Sequence, residues 1–142
     1  MRLCTLAFAI FAILLANPCE AAIRIGDDMG GRLGDYILRY SNAGQSGEEV
    51  IIDGRCYSAC TTVIGLVPPK RICVTPRARL GFHAASIRDR WGRRVIDPEA
   101  TRLIFNMYPK PVQDWLALNG GLDVRMIYIT GDQLAGLYAR CR

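Results

Sequence analysis

Apolar residues along the chain fall into short runs separated by glycine, proline and polar clusters, and their spacing changes from run to run. Leu3 to Ala16 is continuous apart from Thr5, follows Met1-Arg2, and is broken by Asn17-Pro18 ahead of Cys19-Glu20-Ala21. A positive start, an apolar stretch shorter than the roughly 20 residues of a spanning helix, and a helix-breaking exit make up a secretion signal. Cleavage is expected after Ala21, which leaves residues 22–142 as one domain with no stable membrane span.

Beyond it, Ile23 to Ile25 predicts a short strand that runs into Asp27-Asp28-Met29-Gly30-Gly31. Leu33, Tyr36, Ile37 and Tyr40 then recur at helical spacing, predicting a helix from Arg32 to about Asn42 that Gly44 to Gly47 ends. Glu49 to Asp53 holds Val50, Ile51 and Ile52, a buried strand stopped at Gly54. After Arg55-Cys56-Tyr57, Ser58 opens a short apolar helix that reaches about Val67 and stops at Pro68-Pro69. Arg71 to Thr75 and Arg79 to His83 are further strands, separated at Pro76. The order strand, helix, strand predicts a parallel pair joined by a crossover helix, hence an α/β fold.

The pattern then turns polar from Ala84 to Arg94, which predicts an exposed loop. Pro98 to Met107 predicts a helix capped by Asp97, and Pro111 to Asn119 a second one closed by Gly120-Gly121. Val124 to Ile129 is a strand candidate, and Thr130 is placed to cap a last short helix from Gly131 to about Tyr138.

Charge changes this picture little. The net charge is +5, and 16 of the 18 basic residues are arginine. They stand singly or in pairs among acids, as on a solvated basic surface, so no nucleic-acid partner is expected. Nor does the sequence carry an internal repeat or a second membrane-length apolar run.

Cysteine adds more. Cys56, Cys60, Cys73 and Cys141 follow the signal, and an even count in an exported chain argues for disulfides over a metal site; no metal or cofactor is expected. Three pairings are open. If the chain turns into a helix at Tyr57 to Cys60, Cys56 and Cys60 lie about one turn apart, near the roughly 6 Å between Cα atoms that a bridge tolerates. That favours Cys56 with Cys60 and leaves Cys73 to staple Cys141.

Ser58 lies where a buried strand gives way to a helix, beside the small Ala59. An N-cap role alone would explain a serine there. His83, the only histidine, ends the strand Arg79 to Phe82. A serine nucleophile needs a base within hydrogen-bond reach, held by a neighbouring element, and two adjacent parallel strands supply that arrangement.

Gly54-x-x-x-Ser58-Ala59, the short apolar helix, Lys70-Arg71, a strand, Pro76, and His83 at 25 residues beyond Ser58 together resemble the nucleophile-to-base segment of the Clp protease proteolytic subunit. Met29-Gly30-Gly31 resembles that family's glycine pair, and Cys56-Tyr57-Ser58-Ala59-Cys60 is similar to small periplasmic Clp-protease-like proteins of the Cys-x-Ser-Ala-Cys type. The resemblance covers about residues 23–84. It implies ClpP/crotonase-like ββα units, a parallel sheet with crossover helices, truncated at the N-terminus relative to the family. It also implies Ser58 as nucleophile, His83 as base, and the N–H groups of Gly31 and Ala59 as the oxyanion hole. The third triad member is unassigned, with Asp132 and Asp123 as the candidates.

These readings lead to an exported serine hydrolase, peptidase-like, periplasmic or secreted, with a peptide or protein substrate. The alternative is a catalytically inactive binding or assembly module on the same fold. A crotonase-type acyl-CoA enzyme is disfavoured by export, because CoA thioesters are cytosolic. A monomer or small oligomer is expected. Trp115, with Leu116 and Leu118, reads as a core face, whereas Trp91, among Arg88, Arg90, Arg93 and Arg94, is the better candidate for contacting a partner or substrate.

Overall fold

The computed structural model describes residues 22–142, so the expected signal and its cleavage point lie outside the described residues. The short apolar runs become nine strands and five α-helices distributed over three small sheets.

The first sheet is all parallel. Strands β1 (Ile23–Ile25), β2 (Val50–Ile52), β4 (Ile72–Val74) and β9 (Ala139–Arg140) lie in the order β1-β2-β4-β9. The second has the order β3-β5-β8, in which β3 (Arg55–Tyr57) runs parallel to β5 (Arg79–Phe82) and β8 (Ile127–Thr130) antiparallel to it. Asp28 bridges Cys56 along the free side of β3. The chain therefore crosses from one sheet to the other at Asp53-Gly54, where the sequence pattern shows a single strand end.

The helices cover the sheets by burying their apolar stripes. Helix α1 (Leu33–Ser46) buries Tyr40 and Ala43 and runs past the stop expected at Gly44. Gly44 is there for close packing, since a Cβ would overlap the Leu66 carbonyl oxygen, and the helix ends instead at Gly47 with φ of 91°. After β3 comes a 3-10 turn, Ser58–Thr62, that continues into α2 (Val63–Leu66) and forms the expected crossover. Asp97 caps α3 (Pro98–Met107), its carboxylate accepting from the N–H groups of Glu99 and Ala100. Helix α4 (Lys110–Leu118) follows and buries Val112 and Leu116. Val50, Ile52, Ile64, Leu80, Phe82, Leu116 and Ile129 are among the side chains that fill the interior between these layers.

Three expectations are corrected. Ala84 to Arg94 is no loop: β6 (Ser86–Arg88) and β7 (Arg94–Ile96) form an antiparallel hairpin. Its turn is held by Asp89 Oδ1, which accepts from the N–H groups of Trp91 and Arg93. Thr130 makes no side-chain cap to α5 (Gly131–Ala135), and that helix is shorter than expected because the chain turns into β9. The strand near Val124 begins only at Ile127, where pairing with Phe82 starts.

Two disulfides join Cys56 to Cys60 and Cys73 to Cys141, with Cα separations of 5.2 and 4.9 Å. The second fixes the last residues onto β4, where Cys141 N–H also donates to the Val74 carbonyl at 3.0 Å. The two disulfides are consistent with an extracytoplasmic protein. Among the described residues no helix is long and apolar enough to cross a membrane.

Candidate active site

Ser58 is the only non-glycine residue with positive φ among the described residues, at 57°. L-residues enter this region at a cost of roughly 1–2 kcal/mol, and a residue held there is over-determined by its surroundings. Those surroundings can be named. The Cys56–Cys60 bridge brackets the turn, and Thr61 Oγ1 donates to the Ser58 carbonyl at 2.6 Å while Thr62 Oγ1 donates to that of Ala59 at 2.8 Å. Since the Thr61 proton is committed to Ser58, the Tyr108 hydroxyl donates to Thr61 Oγ1 at 2.6 Å. Both threonines are fully buried, and burial raises the pKa of Tyr108, which keeps its proton available for that bond.

A second segment closes on the turn from β1. Gly30 has φ of 83°, and a Cβ there would lie 2.6 Å from Ser58 Cβ and 2.9 Å from the Ala59 nitrogen. Only glycine lets the two backbones approach so closely. Asp28 fixes this loop: its Oδ1 accepts from Gly30 N–H at 2.9 Å and from the Tyr36 hydroxyl at 2.6 Å. Desolvation, with the Asp28 bond second, pushes the Tyr36 phenol up to about 12. The Gly30 N–H is thereby used, and the next one along, that of Gly31, has no partner among the described residues. The Ala59 N–H opens the 3-10 turn, where the first amides lack partners within the helix.

Gly31, Ser58, Ala59 and His83 line one open cleft of about 250 Å³, together with Arg32, Leu33, Ser86, Arg94, Ile104 and Tyr108 among others. The parallel register of β3 and β5 brings them together. Tyr57 pairs with Gly81, so Ser58 leaves its strand one residue ahead of where β5 ends at Phe82 and releases His83. The His83 ring donates from Nδ1 to the Ala84 carbonyl at 2.6 Å. That bond fixes the neutral tautomer and leaves Nε2 as the acceptor nitrogen. Among the described residues no hydrogen bond joins the Ser58 hydroxyl to His83.

Among the described residues no hydrogen bond or ion pair joins either candidate acid to the imidazole. Asp123 comes near through its main chain, whose carbonyl accepts from Ala84 N–H at 2.8 Å, but its carboxylate accepts from Val124 N–H. Asp132 pairs with Arg140 at 3.4 Å and lines a different hollow, beside Thr75 and Pro76. The carbonyl of Ala84 thus occupies the orienting position on His83 that an acid holds in a triad.

The hairpin forms the outer wall of the cleft, through Ser86 and Arg94. Trp91 stands at its tip, 63% exposed, with the guanidinium groups of Arg90 and Arg93 at 3.9 and 4.7 Å from its ring centre. It lines no part of the cleft. Trp115 packs partly buried against the core, its ring 6.2 Å from Phe82. Sequence reasoning assigns Thr61, Tyr108 and Asp28 no role in the site. Thr61 and Tyr108 meet across 47 residues of chain, whereas Asp28 acts within its own neighbourhood, on Gly30 and Tyr36.

A scan against protein-family models finds no match, and no curated protein matches the chain.

Proposed function

We propose that this chain is an exported serine hydrolase of the Clp protease and crotonase type, peptidase-like and acting in the periplasm or outside the cell. The observation that carries the reading is the conformation of Ser58: a single strained residue, at a strand-to-helix turn, in a cleft shared with the only histidine. Strain of this kind concentrates where a side chain must be presented rather than packed.

In this mechanism the Ser58 hydroxyl attacks the substrate carbonyl carbon while His83 Nε2 takes its proton. The carbonyl π pair moves onto oxygen, and the N–H groups of Gly31 and Ala59 receive the resulting oxyanion. Collapse of the tetrahedral species expels the leaving amine, to which His83 returns the proton. Water, deprotonated by the same nitrogen, then cleaves the acyl-serine. The Ala84 carbonyl holds the imidazole through Nδ1–H but adds no full negative charge to stabilise the imidazolium, so turnover slower than that of a triad enzyme is expected.

A fluorophosphonate probe should label wild-type protein on Ser58 at neutral pH with both disulfides intact, and Ser58→Ala should abolish the label. An unlabelled wild type would sink the hydrolase. The observation favouring a second reading, a non-catalytic binding module, is the absence of a carboxylate on His83 among the described residues; that module would bind peptide without taking the label.

A further inference from the structure

The cleft is charged on one side of the scale only. No carboxylate lines it, whereas Arg32 and Arg94 both do, and both are exposed. Ion pairs among the described residues engage Arg24, Arg55, Arg77, Arg93, Lys110 and Arg140. Arg32 and Arg94 have no such partner there. Within the hairpin the contrast is sharper: Arg88 donates to the Gly92 carbonyl, Arg93 pairs with Asp89, and Arg90 stacks on Trp91. Arg94 alone of the four is left to the cleft.

The two cations reach the cleft from different segments. Arg32 follows Gly31 on the oxyanion side. Arg94 opens β7 and, with His83, Ala84 and Ser86, lines both the cleft and an adjoining hollow of about 190 Å³. A guanidinium presents a planar fork of donors that matches a carboxylate, and two such forks without an ion-pair partner among the described residues, in a cleft lined by no carboxylate, favour anionic side chains on a bound segment.

We infer that the cleft selects acidic peptide segments, with Arg32 and Arg94 as the specificity-determining residues. As a statement about substrate, this rests on the hydrolase reading; the charge preference itself can be measured without turnover.

The test uses short fluorescein-labelled peptides that differ only in carrying Glu, Gln or Lys at the positions flanking the central bond, with binding read by fluorescence anisotropy. The Glu peptide should bind most tightly, and added salt should erode its advantage. Because both arginines are exposed and screened, Arg32→Gln and Arg94→Gln should each weaken Glu-peptide binding about fivefold and Gln-peptide binding distinctly less, narrowing the Glu-over-Gln preference. Equal binding of the Glu and Gln peptides, no binding of any peptide, or insensitivity to both substitutions overturns the inference. Fluorophosphonate labelling of the same samples separates the two ideas. Labelling without charge preference removes only the acidic specificity, whereas charge preference without labelling removes the hydrolase and leaves an acidic-peptide-binding cleft.

Discussion

Removing the two disulfides one at a time should separate global stability from the conformation of the nucleophile. The bridges close loops of very different size, with sequence separations of 4 for Cys56–Cys60 and 68 for Cys73–Cys141. In the chain-entropy treatment a cross-link restricts the unfolded state by an amount that grows with the logarithm of the loop. The short bridge is then worth about 2 kcal/mol and the long one about 4 kcal/mol at room temperature. The paired variants Cys56→Ala/Cys60→Ala and Cys73→Ala/Cys141→Ala should show that order in unfolding free energy from urea titration, with a steeper slope where the 68-residue cross-link is released. Labelling should show the reverse order. The short bridge brackets Ser58, so its loss lets the turn relax out of positive φ and slows fluorophosphonate labelling, while folded protein without the long bridge labels at the wild-type rate. If loss of Cys56–Cys60 leaves labelling untouched, the bridge does not hold the nucleophile, and the argument from strain fails.

Two further results follow from the same geometry. Ser58→Gly removes the left-handed penalty, roughly 1–2 kcal/mol, at the smaller entropic cost of a glycine, so this variant should lose all labelling yet gain about 0.5–1 kcal/mol in urea unfolding; lower stability would show the residue to be unstrained. Asp27, exposed and held down to about 2 chiefly by side-chain and backbone hydrogen bonds from Arg55, favours the folded state above its ordinary carboxylate range and loses that contribution as pH falls towards 2. Between about pH 4 and 2, therefore, Asp27→Asn should show a shallower loss of unfolding midpoint than wild type, and parallel curves would contradict the assignment.

What could be read from the sequence was whatever local pattern dictates. Val50 to Ile52 and Ile72 to Val74 lie inside a parallel sheet, buried at their outer residues and half-buried at the middle one, and announce themselves as unbroken apolar triplets; the capped helix at Pro98 carries its own start signal. The hairpin is hidden because Ile87, Val95 and Ile96 are exposed and interleaved with arginines, so no buried face imposes a period. Strand β9 has two exposed residues and exists because Cys141 is tied to Cys73, a contact 68 residues away in sequence. Ser58 and His83 could be singled out by residue type and spacing. The left-handed turn at Ser58 could not, since it depends on Gly30 arriving from another segment and on the Tyr108–Thr61 bond. The unpaired state of Arg32 and Arg94 is equally invisible in a chain whose arginines are scattered, because it is decided by where the acids fold.

The cooperation of Ser58 with His83 is tested most directly by the rate at which fluorophosphonate modifies Ser58 in wild type and in a folded His83→Gln variant. General-base assistance contributes about 10²–10⁴-fold, so the variant should react at least a hundredfold more slowly under identical conditions. Equal rates in the two proteins would mean that the imidazole takes no part in activating the serine.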